Sequence, residues 1–218
     1  MYNTIVSLEP DILIVDLLWF PLYYMVEKFP WKTIFLWAPI DKSYFSWPSE
    51  GTTLHYDPDK YDRIVAIAPF RGKGPELEVN PLILRNRDEI LNRTEALEKL
   101  GLKNSDKNCL LAYNGHPKDF ERVKEMYSFK EKEYTMVYTT NYKGGIFPVV
   151  DYFNAFDLVI CQTGYSSFWE TRYFNKEAIW VPTKTSFFDG ERLAREYSDY
   201  TFEKNGADQL VDILIDIL

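Results

Sequence analysis

With 218 residues, 46% of them hydrophobic and 17% aromatic, the chain is long enough for one large or two small packed domains and too apolar to be disordered. A formal net charge of −8, from 25 basic and 33 acidic residues, argues against nonspecific nucleic-acid binding and against docking on anionic lipid. The only cysteines, Cys109 and Cys161, and the only histidines, His55 and His116, give neither a disulfide framework nor a Cys/His metal cluster.

No apolar run reaches the roughly 18 residues that a membrane span needs. The N-terminus lacks the basic start and apolar run of a secretory signal. Both cysteines fall in predicted strands, so a reducing, cytoplasmic setting is expected.

Residues 11–17 (DILIVDL) read as a strand buried on both faces. A helix is expected from about 19 to 28, with Pro21 in its first turn. Residues 33–37 form a second predicted strand, stopped by Ala38 and Pro39. Residues 43–58 have no period and carry Pro48, Gly51, Asp57 and Pro58, the chemistry of a long loop. Residues 63–68 (RIVAIA) are a third predicted strand. This succession implies a parallel sheet with right-handed crossovers. Residues 70–81, with Gly72, Gly74, Pro75 and Pro81, read as the link between a domain at 1–84 and another at 85–218.

In the second part, Ile90, Leu91, Ala96, Leu97 and Leu100 mark a helix over 87–100, closed by Gly101. A strand at 108–113 runs into Asn114-Gly115-His116-Pro117 and a helix at 119–126. A strand at 134–139 follows, and Ile146-Phe147-Pro148 introduces a short helix at 149–156. The stretch 157–190 is the most informative. A strand at 158–161 ends in Gln162-Thr163-Gly164, a helix carries Phe168, Trp169, Tyr173 and Phe174 inward, and a strand at 178–181 ends at Pro182. Gly164 allows a sharp turn, and Ser166 or Ser167 can cap the helix. Such a helix N-terminus is an anion seat, and Glu170, on the same face, can accept hydrogen bonds from a ribose. A helix follows Gly190, and the last one, at 207–218, sets Asp208, Asp212 and Asp216 on a solvated face.

Gln162, Gly164, Ser167 and Glu170, followed by Pro182 and Asp189, resemble the H-x-G-x-x-S-x-x-E motif of GT-B glycosyltransferases of the UDP-sugar type. The chain is similar to the group that includes the lipid-linked N-acetylglucosaminyl transferase of peptidoglycan synthesis. Two positions depart from the pattern: Gln162 stands where His is usual, and Gly190-Glu191 follows Asp189 where Gln is expected. Pro10, Asp11, Ile14 and Asp16 fit the P-D-x-x-I-x-D strand of the acceptor domain. The resemblance implies an α/β protein of two Rossmann-like parallel-sheet domains, the first one shortened, since a full acceptor domain would begin roughly 100 residues earlier.

The resemblance also implies roles. Gly115 and His116 would face the donor diphosphate, Ile146 and Phe147 the base, and Gln162, Gly164, Ser166 and Ser167 the phosphates. Glu170 would hold the ribose and Asp189 the sugar hydroxyls. A plain structural reading stands beside each: a strand-to-helix turn at Gly115, a hydrophobic staple at Phe147, a capped helix at Ser166, a helix cap at Asp189. A general base would come from the first domain, where Asp16 is the candidate and Asp41 the next; a structural role is the alternative for both. No metal or cofactor is required if helix N-termini and side chains neutralise the diphosphate; the UDP-sugar is the donor substrate. Gln162 does not titrate, so binding is expected to vary little between pH 6 and 8.

The expected activity is transfer of a sugar from a nucleotide donor to an unidentified acceptor. A donor-binding subunit that needs a partner chain, a relict without turnover, and a nucleotide-sugar epimerase are the alternatives. Trp19, Phe20, Tyr23, Tyr24, Trp37, Phe45 and Trp47 are expected to leave an aromatic surface on the short first domain, where self-association or a partner chain would cover it.

Overall fold

A computed structural model describes residues 1–70, 75, 77–142 and 144–218; Gly72 and Gly74 of the expected link lie outside the described residues. The chain divides into two units. One comprises 1–82, 185–188 and 204–218, the other 83–184 and 189–203. The boundary therefore falls two residues before the expected 84, and the C-terminal helix groups with the first unit instead of the second.

In the first unit a short helix α1 (Tyr2–Val6) precedes β1 (Ile12–Asp16), β2 (Lys32–Trp37), β3 (Ser46–Ser49), β4 (Thr52–His55), β5 (Arg63–Ala66) and β6 (Leu77–Glu78). The main sheet is parallel, in the order β1-β2-β5-β6. Every step runs the same way, so right-handed crossovers lie on one face. One core cluster lies on that face, and Ile34, Leu36 and Val65 are buried on the other. Leu13, Val15, Phe35, Trp37 and Ile64 meet Trp19, Leu22, Val26, Tyr44 and Leu54.

The aromatic residues expected outside are inside. Trp19 is buried with its indole N–H on the Tyr44 carbonyl at 3.3 Å, and Phe20 stacks on Trp47 at 3.8 Å. Phe20, Tyr23, Trp37, Phe45 and Trp47 all pack into the same cluster, and of the seven only Tyr24 stays exposed. The expected helix over 19–28 is replaced by two 3-10 turns, Phe20–Leu22 and Val26–Lys28. An α-helix buries one stripe, whereas here Phe20, Tyr23 and Met25 turn inward beside Trp19, Leu22 and Val26.

The expected loop at 43–58 contains the β3–β4 hairpin, which turns on Glu50 (φ 40) and Gly51 (φ 80), the paired positive φ of a type I′ turn. β1, read as buried on both faces, is an edge strand with Ile14 41% exposed.

In the second unit α2 (Arg93–Leu100), β7 (Asn108–Ala112), α3 (Pro117–Met126), β8 (Thr135–Thr139), a 3-10 helix (Val149–Ala155), β9 (Leu158–Gln162), α4 (Tyr165–Tyr173), β10 (Ala178–Val181) and α5 (Gly190–Tyr197) follow in order. The sheet is parallel, in the order β10-β9-β7-β8. Side chains alternate between its faces. Leu110, Val159 and Cys161 meet Ala96, Leu97, Val150 and Phe153; Cys109, Leu111, Leu158 and Ile160 meet Phe120 and Val123 of α3. α2 starts later than the expected residue 87. Asn92 and Glu95 form a reciprocal capping box, and Gly101 in the left-handed region closes the helix.

The C-terminal helix α6 (Gly206–Ile215) is hooked to the end of the first unit's sheet. The Gly206 N–H donates to the Pro81 carbonyl at 3.1 Å and the Asn80 N–H to Gln209 Oε1 at 2.7 Å. A β-carbon on Gly206 would lie 1.7 Å from the Asn80 carbonyl oxygen, so only glycine permits this approach.

Candidate functional site

β8 lies on one side of β7 and β9 on the other, so the order of the second sheet reverses at β7. The carboxyl ends of the strands flanking such a reversal form the crevice where open α/β sheets bind ligands. Pairing of Ala112 with Cys161 sets the loops after β7 and β9 side by side.

The β7 loop delivers His116 as the N-cap of α3. Its Nδ1 accepts from the Lys118 N–H at 3.2 Å. In the neutral ring the proton therefore sits on Nε2, which is left as an outward donor beside exposed Gly115.

The β9 loop delivers α4. Gly164 is its N-cap, with φ −69 and ψ 156, and no side chain caps the helix. The expected serine cap is absent. Gly164 needs no left-handed conformation, and Ser166 and Ser167 lie inside the first turn, where neither caps it. The first intrahelical bond runs from the Phe168 N–H to the Gly164 carbonyl, and the N–H groups of Ser166 and Ser167 have no acceptor among the described residues. A helix end that keeps its orphan donors beside a residue without a side chain is open to close approach by an anion. Gln162 borders it: a β-carbon on Gly164 would lie 3.7 Å from Gln162 Nε2, and Gln162 Oε1 is buried without a partner among the described residues.

Thr163, which the sequence did not single out, ties this loop down. Its hydroxyl meets that of Thr183 at 3.0 Å and accepts from the Thr183 N–H at 2.9 Å. Gly190 rests on it so closely that a β-carbon there would lie 1.9 Å from Thr163 Oγ1. The neighbouring Asp189 caps α5 by accepting from the Arg192 N–H at 2.9 Å, and pairs with Lys184 at 3.5 Å. These contacts hold its carboxyl below the usual carboxylate range, the backbone bond first. The capping role weighed for Asp189 is thus present.

Glu170 is 8% exposed, and its carboxyl has no hydrogen-bond or ion-pair partner among the described residues. Burial pushes its pKa up to about 7. Cys161 on β9 is its electrostatic neighbour; burial first and Glu170 second push that thiol up to about 12. Cys109 is likewise pushed up to about 12 by burial, so both cysteines are inert packing groups, as expected.

After β8, the Ile146 N–H donates to Thr139 Oγ1 at 2.8 Å, so it is already committed and is not free for a base. Phe147 beside it is 89% exposed, an apolar ring presented to solvent at the same carboxyl edge. Gly115, His116, Ile146, Phe147, Gln162, Gly164, Ser166, Ser167, Glu170 and Asp189 all belong to the second unit.

Asp16 belongs to the first unit, at the carboxyl end of β1. Leu17 follows with φ +61, and the Leu18 N–H donates to the Asp16 carbonyl at 2.7 Å, which makes a strained γ-turn. The Tyr44 hydroxyl holds that turn through the Leu17 carbonyl at 3.2 Å. Burial raises the Asp16 pKa. Asp41 caps the turn at Lys42–Phe45 through the Ser43 N–H, a structural role.

Among the described residues no group of three His, Cys, Asp or Glu could hold a metal ion, and no helix is long and apolar enough to cross a membrane. No protein-family model matches the sequence, and no curated protein matches it. Among solved structures, the chain is similar to SsfS6, a glycosyltransferase of Streptomyces sp. SF2575, with a TM-score of 0.54 and 11% sequence identity. The match covers 89% of this chain and 56% of that one, so the chain spans little more than half the neighbour's length. Two α/β units, each built on a parallel sheet, thus follow the fold of a glycosyltransferase.

Proposed function

We propose that the second unit binds the nucleotide diphosphate of a sugar donor and that the protein transfers the sugar to an acceptor. The observation that carries this reading is the uncapped N-terminus of α4 at the reversal point of the sheet, with Glu170 buried on the same helix and without a partner among the described residues. The Ser166 and Ser167 amides and hydroxyls receive one phosphate, with Gln162 alongside. His116 Nε2 and the Gly115 backbone donate from the β7 loop. Glu170 accepts from the ribose, Phe147 covers the base, and Asp189 holds sugar hydroxyls with the lone pairs that its cap leaves over. The uridine preference rests on the motif resemblance. Catalysis on this reading is positioning plus stabilisation of the leaving diphosphate. Asp16, at a strained strand end, is the general-base candidate. A thermal-shift panel of nucleoside diphosphates and nucleotide sugars tests it: a ligand at 100 times its Kd stabilises by about 2.7 kcal/mol. UDP and UDP-sugars are expected to shift the melting temperature; a panel without a responder ends the reading.

A donor-binding module completed by further polypeptide is the second reading, and one observation favours it. β1 (ILIVD) has the composition of an interior strand but lies at an open sheet edge, with Ile14 and Leu18 exposed. Light scattering on the purified chain decides: an active monomer excludes an obligatory partner.

A further inference from the structure

We propose that Thr163 is a positioning residue: its buried hydroxyl holds the N-termini of α4 and α5 at one spacing, and so sets how tightly a nucleotide sugar binds relative to the bare nucleotide. The inference rests on the nucleotide reading above, which seats a phosphate on α4 and the sugar hydroxyls on Asp189. It adds the residue that joins the two seats.

Thr163 lies beside both seats, within the same unit. It is fully buried and directly precedes Gly164, the N-cap of α4. Its N–H donates to the Val181 carbonyl at 3.0 Å, which carries the pairing of β9 with β10 one residue further. Its hydroxyl donates to that same carbonyl at 3.4 Å, accepts from the Thr183 N–H at 2.9 Å and lies 3.0 Å from the Thr183 hydroxyl. With its proton on the Val181 carbonyl, it accepts from both Thr183 donors and its hydrogen-bonding capacity is filled. A buried polar group satisfied in this way rigidifies what it joins.

Thr183 and Gly190 carry the constraint to α5. The Thr183 carbonyl accepts from the Gly190 N–H at 2.8 Å. A β-carbon on Gly190 would lie 1.9 Å from Thr163 Oγ1 and 2.8 Å from the Thr183 carbonyl oxygen, so the main chain there rests directly on the hydroxyl. Gly190 directly follows Asp189, the N-cap of α5. The hydroxyl thus stands one residue from one cap and against the residue after the other.

Neither helix start uses this hydroxyl. α4 begins with the bond from the Phe168 N–H to the Gly164 carbonyl, and α5 with the bond from the Arg192 N–H to Asp189. Removing the hydroxyl therefore loosens the spacing and leaves the seats. A ligand that spans both seats gains from their being set in advance, whereas UDP, which occupies the phosphate seat without a sugar, gains little.

The experiment is calorimetric titration of the wild type, Thr163→Val and Thr163→Ser with UDP, UDP-glucose and UDP-N-acetylglucosamine. Asp189→Ser, in which serine keeps a cap for α5 and withdraws the carboxylate, is titrated alone and combined with Thr163→Val. In Thr163→Val the affinity for UDP is expected to stay within about twofold of the wild type, while the affinity of the better nucleotide sugar relative to UDP falls roughly fivefold, the weight of one hydrogen bond. Thr163→Ser is expected to restore that ratio. Asp189→Ser is expected to lower the ratio too, and the double variant to lower it no further, because the two residues act as one unit. A loss shared equally by UDP and the nucleotide sugars, an unchanged ratio in Thr163→Val or Asp189→Ser, no rescue by serine, or losses that multiply in the double variant would overturn the inference while the nucleotide reading stands. Should Thr163→Val fail to fold, Thr183→Val replaces it with the same expected fall in the ratio, since it removes the hydroxyl on the other side of the contact and keeps the Thr183 N–H. If none of the three ligands binds the wild type, both the inference and the nucleotide reading are overturned.

Discussion

Replacing Glu170 with Gln should stabilise the ligand-free protein, and only at high pH. Burial moves this carboxyl from its ordinary 4.5 to about 7, a difference of about 3 kcal/mol. The sign follows from proton counts. Between these two values the unfolded chain has lost the proton and the folded chain still holds it, so stability falls as pH rises, and it levels off above the folded pKa. Glutamine has no proton to lose. The variant should therefore exceed the wild type by up to about 3 kcal/mol at pH 8, and by less than about 1 kcal/mol at pH 5. Urea melts of both proteins at the two pH values, followed by circular dichroism, read this out; with a slope of about 1–3 kcal/mol/M the midpoint gap at pH 8 is at least about 1 M. An equal gap at pH 5 and pH 8 would refute the reasoning, because it would mean that the carboxyl titrates alike in folded and unfolded chains.

Gly164→Asp supplies the side-chain cap that α4 lacks; stability should change by only a few tenths of a kcal/mol while UDP affinity drops, since a carboxylate then occupies the amides. Calorimetry and melts on the same sample check both halves. Phe147→Ala removes an exposed ring, so its melting should stay within about 0.5 kcal/mol of the wild type, while binding of UDP weakens by about 1–3 kcal/mol if the ring covers the base. Gly190→Ala drives a methyl into Thr163 and the Thr183 carbonyl and should cost about 1–3 kcal/mol in urea melts; a variant of full stability would contradict the close approach seen here.

The strands of the second unit were legible because each is a short run of apolar and β-branched residues bounded by turn residues, and residues 178–181 pair over their full predicted span. Elsewhere local pattern and tertiary packing disagree. Ile90 and Leu91 continue a helical period backwards from α2, yet they pack on the core ahead of it, and the Asn92–Glu95 capping box marks the true start. Pro48 hid the hairpin, since proline speaks against a strand unless the strand is an edge. Composition counts aromatic rings without saying which way they face, so the first unit's inward cluster was read as a surface. At the candidate site, the motif spacing marked a loop and helix that the structure places at the carboxyl edge of the second sheet. The burial of Glu170 is a matter of tertiary packing, and the contact between Thr163 and Gly190 joins residues far apart in the chain; neither has a local signature.

A crystal of the wild type soaked with UDP above pH 7 tests the central claim most directly. The account predicts a phosphate within hydrogen-bond distance of the Ser166 and Ser167 amides, with the ribose hydroxyls on the Glu170 carboxylate. Ordered UDP bound away from the carboxyl edge of the second sheet, with the α4 N-terminus unoccupied, would contradict it.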